Sequence, residues 1–230
     1  MSDSQARFKK QAAEAALDQL ISGMTVGLGT GSTAAFVITG LGERLADGRL
    51  SDIRAVATSV ATEELARQSG IELMELTPAG LDIAIDGCDE VDPQLQLIKG
   101  LGGALTREKL VALAARRFVI VADDSKSVDR LGSLAPVPVE VVGFGHEATV
   151  ARLELLGGEC RQRSGADGRP LISDNGNLIF DFFSRTAFSP LELAGDLKAE
   201  TGVVEHGLFL GLADEAILAG PHGITRQVHP

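Results

Sequence analysis

The feature that most constrains this chain is a recurring unit: a short apolar run, then a polar glycine-bearing turn, then a segment patterned as a helix. Residues 53–58 (IRAVAT), 71–76, 81–85 (LDIAI) and 118–122 (FVIVA) are too short for helices and are bounded by turn formers. Such runs suit strands buried on both faces of a parallel sheet. Residues 24–35 (MTVGLGTGSTAA) read as a strand entering a turn and a second helix, residues 59–70 as a helix closed by Gly70, and 106–115 as another helix. Strands alternating with helices predict a doubly wound, mostly parallel α/β sheet. Parallel strands present their carboxyl ends on one side, so four polar loops can meet in one cleft: 30–33, 58–59, 86–89 and 123–126.

The chemistry is densest in 81–109, LDIAIDGCDEVDPQLQLIKGLGGALTREK. Asp86, Asp89, Glu90 and Asp92 follow the apolar run, Lys99 adjoins Gly100, Gly102 and Gly103, and Glu108 opens the next helix. Each has an ordinary reading: turns favour Asp, a first-turn Glu suits the helix dipole, and a lysine suits the surface. Their convergence beyond a buried strand, on a glycine-rich backbone that costs entropy to order, points to a reaction centre. In the earlier turn, Thr30, Gly31, Ser32 and Thr33 offer hydroxyls and helix-start N–H groups to an anion. The turn lacks the lysine of the nucleotide P-loop, and Gly27, Gly29 and Gly31 do not match the dinucleotide spacing.

A formal charge of −11 in 230 residues argues against general affinity for nucleic acid or an anionic membrane. An anionic ligand therefore needs local donors. Cys88 and Cys160 read as free thiols, which suits the cytoplasm. No stretch approaches 18 apolar residues, and the amino terminus lacks a signal-peptide core. Ala12, Ala13, Ala16, Leu17, Leu20 and Ile21 recur at helical spacing, with Lys9 and Lys10 near the helix start and Gly23 as its stop. The acids match no calcium loop and no zinc-type pair exists, so no essential metal is expected. No GxSxG elbow suggests a serine hydrolase. The histidines of the tail, His222 and His229, read as surface residues.

Past Gly132 the pattern changes. Residues 137–142 read as a strand, 146–156 as a helix, 159–163 as a strand, 171–183 as a hairpin turning at Asp174-Asn175-Gly176-Asn177, 190–200 as a helix, and 203 onward as strand. This βαββαβ order predicts a smaller α+β lobe over 132–205, inserted into a first domain made of 1–131 and 206–230. Residues 207–212 and 216–219 are apolar enough to rejoin a buried sheet.

The segments GLGTGSTAAF, ATSVATEELA, DIAIDGCDEVD, LIKGLGGALTREK, ADDSK, PVPVEV, DNGNLIFDF and GVVEHGLFLG, in this order, closely resemble the ribose-5-phosphate isomerase A family from about Lys9 to Gly220. The resemblance implies a Rossmann-like sheet with a ferredoxin-like lobe. It also implies interconversion of ribose 5-phosphate and ribulose 5-phosphate without metal or cofactor, in the pentose phosphate pathway or the Calvin cycle, by a homodimer or homotetramer. Residue by residue, it implies that Glu108 is the general base and that Asp86 and Asp89 are the acids for ring opening and sugar hydroxyls. Lys99, with the Gly87 and Gly100 backbone beside it, would face the developing oxyanion. Thr30, Gly31, Ser32 and Thr33 would form the substrate loop, and Lys126 and Lys9 would hold the phosphate. Cys88 and Leu101 depart from residues frequent in the family, without supplying a reacting group. Two rival readings stay open at this point: a coenzyme A transferase with Glu108 as nucleophile, and a non-catalytic sugar-phosphate sensor, against which the acidic balance counts. The helix start would hold Glu108 ionised while closure around the sugar would desolvate it and raise its basicity, and sequence does not decide between them.

Overall fold

The structure is a computed structural model that describes residues 3–228; His229 lies outside them, and His222 is exposed. The chain runs α1 (Asp3–Leu17), β1 (Thr25–Leu28), α2 (Ser32–Ala46), β2 (Arg54–Ala57), α3 (Val60–Gln68), β3 (Glu72–Leu73) and β4 (Ile83–Asp86). Next come β5 (Glu90–Val91), β6 (Leu97–Ile98), α4 (Leu105–Ala114), β7 (Phe118–Asp123) and a 3-10 turn at Asp124–Lys126. The remainder is β8 (Val137–Val141), α5 (His146–Glu154), β9 (Gly158–Gln162), β10 (Leu178–Ser184), α6 (Pro190–Ala199), β11 (Val203–His206), β12 (Leu208–Phe209), β13 (Glu215–Gly220) and β14 (Gly223–Val228).

Side-chain alternation along β7 shows how the main sheet is buried. Val119 and Val121 pack into one core with α1 and α2, whereas Phe118, Ile120 and Ala122 pack into another with Val111 and Ala112 of α4. A strand covered on both faces must be apolar throughout, hence the continuous FVIVA run. The sheet has the order β14-β13-β7-β4-β1-β2-β3, parallel except for β14. Its order reverses between β1 and β4, so the connections from their carboxyl ends diverge and leave a crevice there.

The smaller lobe is a four-stranded antiparallel sheet of order β11-β8-β10-β9, with α5 and α6 packed on it through Leu153, Leu193 and Leu197. Its order and its βαββαβ sequence agree with the ferredoxin-like expectation. A third sheet, β12-β6-β5, lies in the α4-side core through Val91, Leu97 and Phe209.

Several expectations need correction. The α1 helix begins at Asp3, so Lys9 and Lys10 lie in its middle. It ends at Leu17, where Gln19 and Leu20 donate to Ala16 and Leu17 in tight i to i−3 turns; Leu20 is buried but Ile21 is 64% exposed. Residues 208–209 do enter a buried sheet, the small third one, while 216–219 lie in the main sheet. The 173–177 turn exists, closed by the Ser173 N–H donating to Asn177 O at 2.8 Å, but its first arm is only an Ile172–Leu178 bridge. Leu178 onward pairs instead with β8 and β9. Two-residue strands such as β5 and β6 carry no readable period, and the exposed edge strand β14 was hidden in a polar tail.

Candidate active site

The β1 exit forms the cradle. A Cβ on Gly29 would meet Asp86 Oδ1 at 2.0 Å, so only glycine lets β1 and β4 carry their loops so close together. Thr30 N–H donates to that same Oδ1 at 3.1 Å. The Thr30 hydroxyl lies 2.7 Å from that of Thr58, 2.9 Å from Ser59 and 3.1 Å from Thr62. The second strand exit thus supports the cradle from beneath and does not line the cleft, contrary to its expected place there. Gly31 has φ 106°, a conformation that favours glycine, and it turns the chain into α2 with open space above it. The α2 amino terminus, Ser32 and Thr33 therefore face the cleft. Lys9 Nζ comes across from α1 to donate to Ser32 Oγ at 2.9 Å and stands 4.0 Å from Asp123.

Lys99 is the centre of the charged group. Its Nζ meets Asp86 Oδ2 at 2.9 Å, Gly87 O at 2.6 Å and Glu108 Oε1 at 3.3 Å, and all three side chains are almost wholly buried. Burial pushes the Glu108 carboxyl up to about 8; Lys99 opposes that shift, and Asp86 and Asp89 add to it. Asp86 is raised as well, mainly by burial and against the pull of Lys99. For Lys99 burial disfavours the ammonium, but Asp86 and Glu108 outweigh it, so its pKa lies above the ordinary lysine value. Burial within the fold thus raises Glu108 before any sugar closes over it. Glu108 Oε2 is buried and has no hydrogen-bond partner among the described residues.

The cleft above these groups holds about 120 Å³ and is lined by Lys9, Thr30, Ser32, Glu108, Lys99 and Lys126, among others. Gly31, Thr33, Gly87, Asp89 and Gly100 also line it. Asp86 is beneath its floor, with Oδ1 accepting from Thr30 and Gly87 N–H and Oδ2 facing Lys99. Asp89 stands on the wall, where it accepts the Leu101 N–H at 2.9 Å. Glu90 and Asp92 are structural: Glu90 is fully buried and accepts the N–H groups of Gly132, Leu134 and Ala135, and Asp92 accepts those of Gln94 and Gln96. Burial pushes the Cys88 thiol up to about 12, so this wall residue stays neutral. Among the described residues no group of three or more His, Cys, Asp or Glu is placed to hold a metal ion. A larger groove of about 510 Å³ lies between α3 and α4, but it lacks buried acids and a buried lysine, so the smaller cleft is the candidate site.

Sequence reasoning missed the supporting residues. Arg163 Nη1 donates to both Gly100 O and Leu101 O at 2.8 Å while its guanidinium pairs with Asp181. A Cβ on Gly207 would meet Lys99 O at 2.1 Å. The Phe209 ring lies 5.5 Å from Lys99 Nζ and 4.9 Å from Lys109 Nζ, and Lys109 turns away from the cleft to bind Glu205 and His206 O. These contacts join distant chain segments, and no local pattern encodes them.

Residues 54–223 match the family model of ribose 5-phosphate isomerase A, or phosphoriboisomerase A. The ribose-5-phosphate isomerase A of Roseiflexus castenholzii is 53% identical over 224 residues, covering 97% of this chain and 96% of the relative. That of Deinococcus radiodurans is 50% identical over 219 residues, 94% and 96% of the two chains. A solved D-ribose-5-phosphate isomerase in complex with phospho-erythronic acid has a TM-score of 0.94 at 38% identity, covering 99% of this chain and 100% of that one. The enzyme of Methanocaldococcus jannaschii gives 0.92 at 38% identity, over 96% and 98%. Similarity of this extent spans all three sheets and every segment of the cleft, and the chain belongs to the ribose 5-phosphate isomerase A family.

Proposed function

We propose that this chain interconverts D-ribose 5-phosphate and D-ribulose 5-phosphate through an enediolate. The observation that carries this reading is the buried Asp86–Lys99–Glu108 group beneath a phosphate cradle. Moving a proton between the carbons of an aldose needs a base poised near neutrality and a fixed cation where the oxygen charge develops. Glu108, with its pKa near 8, and Lys99 meet both needs. Phospho-erythronic acid, the ligand of the related structure, carries a planar two-oxygen anion where the sugar would carry the enediolate, which supports the same reading.

In the open-chain aldose, Glu108 takes the proton from C2, the C2–H electron pair becomes the C1–C2 double bond, and the carbonyl electrons move onto O1. Lys99 faces that oxyanion. Its contact with Glu108 is the longest of its three, so a substrate oxygen displaces that contact most readily and frees the base. The O2 proton passes to O1, Glu108 returns its proton to C1, and C2 becomes the ketone. Asp89, on the wall, is the acid within reach of the sugar hydroxyls and ring oxygen, while Asp86 holds Lys99 and Thr30 in place. The phosphate sits against the α2 amino terminus, with Ser32, Thr33, Lys126 and Lys9 around it.

Incubation with ribose 5-phosphate and EDTA in deuterium oxide, followed by NMR, tests the reaction. Ketose with solvent deuterium at the transferred carbon supports it, and absence of ketose from folded protein sinks it. The same reading carries a cytoplasmic setting and a homodimer or homotetramer. Light scattering tests the assembly, and a monomer at assay concentration would remove that part. No helix among the described residues is long and apolar enough to cross a membrane.

A further inference from the structure

Glu140, on β8 of the smaller lobe, is fully buried, and no cation pairs with it among the described residues. Its carboxylate is instead ringed by neutral donors. Ser173 Oγ donates at 2.7 Å and Asn177 Nδ2 at 2.8 Å to Oε1, Asn175 Nδ2 lies 3.2 and 3.4 Å from the two oxygens, and Thr106 Oγ1 donates to Oε2. Three of these donors come from the 173–177 turn. The fourth comes from the first turn of α4, two residues before Glu108.

That turn grips the main domain at two further points. Arg107 of α4 donates to Asn175 Oδ1 at 3.0 Å and to Asp174 O at 2.9 Å, and Val60 N–H at the start of α3 donates to Asp174 Oδ2 at 2.8 Å. Both helices begin at the candidate site, α4 with Glu108 and α3 directly after the Thr58–Ser59 pair that supports Thr30. A buried carboxylate is costly unless its lone pairs are filled. It accepts at about four positions and donates at none, which suits a hub that gathers several donors. An amide would turn an N–H toward at least one of them.

We propose that Glu140 is a positioning residue that, through the 173–177 turn and Thr106, sets the first turn of α4 and so where Glu108 stands. The proposal rests on Glu108 being the base, and it gives the smaller lobe a role in the reaction although Glu140 does not line the cleft.

The test compares Glu140→Gln, Thr106→Val and Thr106→Ser with the unaltered chain in steady-state isomerisation of ribose 5-phosphate and in hydrogen exchange. Misplacement of a base by a fraction of an ångström to an ångström costs about ten- to a hundredfold in turnover. We expect that loss in kcat for Glu140→Gln, with KM within about threefold, and a similar though smaller loss for Thr106→Val. Thr106→Ser, which keeps the hydroxyl, restores kcat, and the Glu140→Gln/Thr106→Val pair falls no further than Glu140→Gln alone because both act through one contact. Amides of Val60 and Glu108 exchange faster in Glu140→Gln, while those of β1, β4 and β7 do not. If Glu140→Gln keeps kcat within twofold, or if kcat falls while Val60 and Glu108 exchange as before, the proposal is overturned. Should the unaltered chain show no isomerisation, the proposed reaction fails, and the exchange result alone then decides whether Glu140 orders the two helix starts. Thr106 is half-buried, so the Thr106 variants still decide the matter if Glu140→Gln does not fold.

Discussion

The burial that raises the Glu108 carboxyl suits it to the proposed role of base and opposes stability, through one and the same pKa. Between the ordinary carboxylate value and about 8 the folded chain holds a proton that the unfolded chain has released, so this group's contribution to stability falls as pH rises through that window. In the proposed reaction the ionised form is the base, so kcat/KM for the aldose should rise with pH up to about 8 and then level off; a profile flat from pH 6 to 9 would contradict this assignment. Glu108→Gln should lower kcat by about two to four orders of magnitude, the usual worth of a positioned base, with little change in KM. The same variant should melt at a higher temperature than the unaltered chain at pH 8, an advantage that shrinks toward pH 5. Calorimetry at the two pH values checks it. The acids themselves were legible in DGCDEVD and REK, but their division was not: Asp89 lines the cleft and Asp86 lies under its floor against Lys99, while Glu90 and Asp92 tie down loops, and one residue of spacing separates Asp89 from Glu90.

Elements meet at the site by close backbone approach. At the β1 exit, Gly29→Ala would bring its Cβ within 2.6 Å of the Asp86 Cα, which is strand backbone and cannot swing away. We expect this variant to lose at least about a hundredfold in kcat/KM, as misplaced reacting groups do, and near-normal activity would show that the two exits need not touch. The cradle should behave differently, because its cations are proposed to act on binding. Lys126, on the 3-10 turn after β7, should when changed to Ala raise KM for ribose 5-phosphate by roughly tenfold or more, the worth of a charge-assisted hydrogen bond, while kcat changes little; competition by inorganic phosphate should weaken in parallel. Strand exits and glycine turns could be read from the chain because period and turn chemistry are local. The short strands β5, β6 and β12 could not, since a two-residue strand exists only by virtue of its partner.

At the scale of the whole molecule, the smaller lobe is coupled to the site by Glu140 and by Arg163, which holds the carbonyls of Gly100 and Leu101. Leu197→Ala, in the fully buried core of that lobe, should cost about 2–5 kcal/mol. Activity should then vanish on heating before the signal of the main sheet melts, as judged by enzyme assay and far-ultraviolet dichroism on the same sample. Coincident loss would mean that the two sheets unfold as one unit. The sequence by itself determined the alternation of strands and helices, the reversal of pattern past Gly132, the glycine turn and the acid–lysine–acid stretch, because backbone preference and hydrophobic period act over a few residues. Only the tertiary structure decided that Glu108 is buried enough to titrate near 8, that Asp86 lies under the floor while Asp89 stands on the wall, and that a carboxylate on β8 accepts from Thr106 on the first turn of α4. Burial and electrostatic neighbourhood are properties of segments brought together from far apart in the chain, and no local pattern carries them.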